Sequence, residues 1–102
     1  MILLVYRIVL RDEAARAAHD DMDARVDAVA AATPGYLGRE LFQVGPLETV
    51  GLLRFESEEA VTAWKTHADH QTAHVRGVEE LYRSYRVEVY ELVRSNGFDL
   101  DD

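Results

Sequence analysis

From Ile2 to Leu10 apolar side chains occupy both alternating faces of the chain, Ile2, Leu4, Tyr6 and Ile8 on one and Leu3, Val5 and Val9 on the other. This pattern predicts a strand covered on both sides. Asp12 can then cap a helix whose apolar positions, Ala15, Ala18, Met22, Val26 and Val29, recur at steps of three and four up to the stop at Thr33, Pro34 and Gly35. Tyr36 to Val44 predicts a second strand, Gly45-Pro46 a turn, and Thr49 to Glu56 a third strand in a hairpin with the second. Ser57, followed by Glu58 and Glu59, opens a second helical region that runs to about Tyr82 and breaks near Ala68-Asp69. Tyr85 to Val93 alternates as a fourth strand, and Ser95 to Asp102 forms an acidic, loosely held tail.

The order β-α-β-β-α-β predicts an α+β, ferredoxin-like domain over residues 1–94, an antiparallel sheet with both helices on one face, followed by the tail 95–102. In that architecture the second apolar face of Ile2–Leu10 needs cover. A second copy of the chain related by a two-fold axis is the simplest partner, so a homodimer is expected.

Composition narrows the function. A formal charge of −8 argues against a nucleic-acid partner, since phosphate binding needs a basic patch. Asp12 with Arg16, Asp21 with Arg25 and Glu79 with Arg83 stand at i,i+4 spacing, which reads as a solvated helix face. Cysteine is absent, which excludes disulfides, thiolate metal sites and a cysteine nucleophile. The N-terminal apolar run lacks a basic leader, is interrupted by Arg7 and is too short to span a bilayer, so no membrane partner and a cytoplasmic location are expected.

The segment AWKTHADHQTAH, Ala63 to His74, holds the single tryptophan and three of the four histidines. On one continuous helix Ala60, Ala63, Trp64, His67, His70, His74, Val78 and Leu81 fall within an arc of roughly 120°. Histidines on an apolar face need partners or a polar cavity. A break near Asp69 would turn His67 away, whereas His70 and His74, one turn apart beyond it, point the same way. Zinc is a poorer reading, because no Glu lies between His70 and His74 as in the metalloprotease helix motif, and no metal site is expected.

The run FESEEAVTAWKTHADHQTAHVRGVEELYRSYRVEVYELVR, with the earlier TPGYLGRELFQ, resembles the antibiotic biosynthesis monooxygenase superfamily of dimeric α+β barrels. The resemblance rests on F-x-S-x-E-A, a Trp, a His, a basic residue beside Gly, and Y-x-x-Y entering the last strand. It implies a pocket between sheet and helices with Trp64 in its wall. It also implies either cofactor-independent oxygenation of a small aromatic substrate, a phenol, quinol or polyketide-like compound, or haem binding and degradation. The ten-residue step from Trp64 to His74, with AHVR around it, is similar to the haem-degrading branch and would make His74 the iron ligand. Both branches are similar in relying on an active-site Asn, found on the first strand in the haem degraders; this chain departs from them, since Tyr6 and Arg7 stand on that strand and Asn96 in the tail is its only asparagine.

Oxygenation without a cofactor draws its electrons from the substrate. The protein then needs a base near neutral pKa, a donor for developing negative charge and an aromatic wall. His70 or His74 is expected as the base, Arg7 or Tyr82 as the donor and Trp64 as the wall. A non-catalytic dimer holding a small hydrophobic metabolite is the third reading, because fold alone does not decide function.

Overall fold

In the computed structural model, which describes residues 1–100, β1 (Ile2–Leu10) lies between β3 (Glu48–Phe55) and β4 (Tyr82–Glu91), and β2 (Tyr36–Gln43) pairs with the far side of β3. All neighbours are antiparallel, in the order β2-β3-β1-β4. Asp101 and Asp102, the end of the expected acidic tail, lie outside the described residues. Helix α1 (Ala15–Ala31) joins β1 to β2, while α2 (Glu58–Lys65) and α3 (Ala68–Arg76) join β3 to β4. This is the ferredoxin-like α+β architecture read from the sequence.

Register decides which side chains the helices meet. Tyr6 is opposite Gly51 on β3 and Val87 on β4, and Leu4 is opposite Leu53 and Val89. Because side chains alternate, Leu4, Tyr6 and Ile8 share one face with Leu53, Phe55, Val87 and Val89. Ile2, Leu4, Leu53 and Phe55 pack there on Ala30, Ala60, Val61 and Trp64, while Leu10 packs with Ala15, Met22, Ala73 and Leu81. On the other face Leu3, Val5 and Val9 remain half-buried beside Val50 and Leu52. The single chain therefore leaves the second apolar face of β1 without a covering layer.

Local chemistry sets the element ends. The Ser57 hydroxyl accepts the Ala60 N–H at 3.2 Å, with Glu58 and Glu59 in the first turn of α2. Asp12 accepts the Ala15 N–H at 2.9 Å and so closes the turn ahead of α1, whose own N-cap position is Ala14, without a side-chain cap. The break in the second helical region falls at Thr66-His67, slightly ahead of Ala68-Asp69. Past α3 the chain widens into one π-turn, Gly77–Leu81, and enters β4 three residues earlier than the alternation of Tyr85–Val93 indicates. Arg11 anchors that early start: its N–H donates to the Leu81 carbonyl and its guanidinium to the carbonyls of Val78 and Tyr82.

Charge pairing on the helices keeps the i,i+4 spacing but with partners other than those the sequence suggests. Arg16 approaches Asp20 at 3.7 Å rather than Asp12, which is occupied by the Ala15 N–H. Arg83 donates to the Arg11 carbonyl, and Arg76 pairs with Glu80. Leu92 donates its N–H to the Met1 carbonyl; from there to Leu100 the chain has neither helix nor strand, and Phe98 and Leu100 are exposed. No helix among the described residues is long and apolar enough to cross a membrane.

Candidate functional site

Between the sheet and the helices α1 and α3 lies a cavity of about 760 Å³. That volume suits a small organic molecule. Its floor is Leu4, Tyr6 and Ile8 of β1 with Leu53; α1 lines it through Met22, Val26 and Ala30, and the neighbouring α2 and α3 line it through Trp64, His70, Ala73 and His74. Tyr82, Tyr85, Val87 and Val89 of β4 form the remaining side.

Trp64 is both core and cavity wall. It is 6% exposed and its ring centroid lies 5.6 Å from Phe55 and 4.2 Å from His70. The break between α2 and α3 brings His70 back over Trp64, a contact that one straight helix would not make. Trp64 Nε1 and His70 Nδ1 are both buried without a hydrogen-bond partner. Burial pulls the His70 pKa below the ordinary histidine value; the Lys65 backbone opposes this, and the neighbouring His74, His67 and Lys65 charges reinforce it. The ring is thus a neutral imidazole near pH 7, with an unclaimed nitrogen beside an unclaimed indole N–H.

The other residues singled out from the sequence divide. His74 stands at the exposed rim of the cavity, edge-on to Tyr85 at 5.0 Å between centroids. His67 is the N-cap of α3: its Nδ1 accepts the Asp69 N–H at 3.1 Å, which gives the ring a structural task outside the cavity. Tyr82 lines the cavity, and burial, with Asp23 nearby, pushes its pKa up to about 12, so its hydroxyl stays a donor. Arg7 is corrected: it alternates with Tyr6, projects from the opposite face of β1, is 63% exposed and pairs with Glu48 at 3.3 Å. It does not reach the cavity. Among the described residues no group of three His, Asp or Glu converges to hold a metal ion.

A polar rim on α1 and β2 adds residues beyond those singled out from the sequence. Arg39 donates to both oxygens of Asp23, at 3.0 and 3.1 Å, and pairs with Asp27 at 2.9 Å, all three lining the cavity. Tyr6 lies beside this cluster, its pKa raised by burial and then by Asp23. His19, 5% exposed, lines the cavity from α1 with Nδ1 3.1 Å from Asp20 Oδ1. A signal for His19 was present: it lies four residues after Ala15 and three before Met22, on the buried stripe of α1. Asp23 and Asp27 flank that stripe at i,i+4, but only the fold brings Arg39 across to them.

A family signature described as antibiotic biosynthesis monooxygenase matches residues 1–76, which include Trp64, His70 and His74. The chain belongs to this family. The uncharacterized protein YqjZ of Bacillus subtilis is 31% identical over 74 residues, a match that spans 72% of this chain and 65% of YqjZ. SnoaB of Streptomyces nogalater, described as a cofactor-independent oxygenase, superposes with a TM-score of 0.78 at 14% identity, covering 92% of this chain and 94% of SnoaB. Rv0793 of Mycobacterium tuberculosis superposes with a TM-score of 0.81 at 18% identity over 94% of this chain and 98% of its own. At these identities the structural likeness establishes the monooxygenase-family fold, and the chemistry has to be argued from the cavity.

Proposed function

We propose that this chain is a cofactor-independent monooxygenase acting on a small phenol or quinol bound between the sheet and the helices. The observation that supports it best is the pair of unpartnered buried atoms, Trp64 Nε1 and His70 Nδ1, on rings 4.2 Å apart in the cavity wall. A buried polar group left without a partner costs about 1–3 kcal/mol, and a ligand that shifts these two rings enough to reach the atoms supplies the missing partner. The description of SnoaB as a cofactor-independent oxygenase supports the same reading.

The chemistry follows from the protonation states. His70 Nδ1 accepts the hydroxyl proton of the substrate, and the Trp64 N–H donates to the oxygen on which negative charge develops. The electron-rich anion gives its electrons to dioxygen, forming a carbon–oxygen bond and a peroxide on the neighbouring ring carbon. The peroxide takes back the proton that His70 accepted, the carbon then loses its own proton as the O–O bond breaks, and the departing hydroxide takes that second proton to leave as water. With naphthohydroquinone as probe, the products are hydroxynaphthoquinone and water. Tyr82, protonated throughout, is the second donor within the cavity.

Oxygen uptake with naphthohydroquinone, read against its uncatalysed oxidation, tests the proposal. His70→Ala should lower the rate by the ~10²-fold usual for loss of a general base. His74→Ala at the rim should do less. No uptake above background with the wild-type protein would overturn the oxygenase reading and favour a binding role.

Haem fits the cavity less well. The ring that faces inward is His70, in contact with Trp64, so no gap for a macrocycle separates the two. His74, the ligand that haem would need, is exposed and turned edge-on to Tyr85. Haemin added to the protein should therefore give no sharp Soret band that His74→Ala removes. We further propose that the protein is a homodimer joined through the open face of the sheet.

A further inference from the structure

Oxygenation as proposed above removes two protons from different atoms of the substrate, one from a hydroxyl, where His70 is placed to act, and one from the carbon that bears the peroxide. We propose that His19, which lines the same cavity as His70, is the second proton acceptor; this rests on the oxygenase reading. His19 comes from α1 and His70 from α3, and both line the same cavity. Asp20 Oδ1, 3.1 Å from His19 Nδ1, is a carboxylate oxygen that accepts and does not donate. The neutral ring therefore carries its proton on Nδ1 and leaves the Nε2 lone pair for the cavity.

The surroundings suit a ring that gains a proton and passes it on. Asp20 holds the ring through Nδ1, and its carboxylate is 63% exposed, so the pair runs from the buried ring to water. The charged and titratable groups around His19 are Arg16, Asp20 and Asp23 on α1 and Tyr82 on β4, whose ring centroid is 6.3 Å away. Arg16 is 3.7 Å from Asp20 and also donates to Thr49 and to the Pro46 carbonyl, which ties the pair to the sheet. A histidine buried only for packing would leave its second nitrogen among apolar atoms; this one lines the space that the substrate would occupy.

The second proton leaves as the O–O bond breaks, so slowing it alters the products as well as the rate. A peroxide on carbon that cannot lose its proton expels hydrogen peroxide instead, giving naphthoquinone rather than hydroxynaphthoquinone and water. With naphthohydroquinone, His19→Gln should lower kcat by about 10²-fold, leave KM unchanged, and shift the products toward naphthoquinone and hydrogen peroxide. Asp20→Asn should shift them the same way by a smaller amount, because it loosens the hold on the tautomer. A folded His19→Gln protein with the wild-type rate and products would overturn this proposal alone, whereas absence of turnover in the wild-type protein would overturn its parent as well. Ring-nitrogen NMR of the wild-type protein gives a check that needs no variant: naphthoquinone should perturb His19 Nε2 as well as His70 Nδ1, and a silent His19 would exclude it from the site.

Discussion

At the scale of single residues, the contact between Trp64 and His70 is where stability and chemistry are in tension. His70→Phe keeps an aromatic ring against Trp64 and removes the unpartnered Nδ1, so the melting temperature should be equal or higher while oxygen uptake falls by ~10²-fold. A large fall in melting temperature would instead mark His70 as a packing residue. The sign of its pKa shift fixes the pH dependence. Because burial lowers the folded pKa, the unfolded chain binds the proton more readily, so the contribution of His70 to stability is present above the unfolded value of about 6.5 and is lost as pH falls below it toward the folded pKa. In kcat/KM the acid limb should accordingly lie below the ordinary imidazole value, and it should disappear in His70→Phe. An acid limb at or above that value would mean that His70 is not the base.

At the scale of elements, two tyrosines of the cavity are seated over glycines. A Cβ at Gly51 would lie 2.2 Å from the Tyr6 ring, and one at Gly77 would lie 2.3 Å from the Tyr82 ring. Gly77 opens the π-turn and Tyr82 follows it, so the wide turn itself sets the ring into the cavity. Gly77→Ala should therefore cost about 1–3 kcal/mol in urea unfolding, as overpacking does, and displace Tyr82. Ser57→Ala, which removes only the cap of α2, should cost about 1 kcal/mol and leave the cavity intact. The contrast also explains what the sequence made legible. Alternation revealed every strand, and the apolar repeat revealed α1, because each is a local pattern with a fixed period. The break ahead of α3 was visible as a possibility, yet its consequence, His70 folded back on Trp64 and His67 spent as a cap, depends on backbone angles that no spacing encodes. Tyr82 was assigned to the site while its element was misread, since a π-turn leaves no periodic signature. Arg7 was misplaced for a simpler reason: alternation puts it opposite Tyr6, and the choice between those two faces needed the register with β3.

At the scale of the whole molecule, the open face of the sheet carries the last prediction. Leu3, Val5 and Val9 of β1 lie beside Val50 and Leu52 of β3, and the ion pairs Arg7–Glu48 and Arg54–Glu40 stand on the same face. Apolar side chains thus make up most of the β1–β3 part of this face, with ion pairs set among them, whereas a free sheet surface would alternate apolar inside with polar outside. A second copy placed across this face would bury well over the ~800 Å² below which most adventitious contacts fall. The cavity opens on the other face of the sheet, so assembly and chemistry can be separated by mutation. Light scattering should give twice the chain mass at micromolar concentration, and the melting temperature should rise with protein concentration, as it does when folding is linked to association. Val5→Arg should give a monomer with a lower, concentration-independent melting temperature. A wild-type monomer would leave the apolar second face of β1 without a function and would overturn the homodimer.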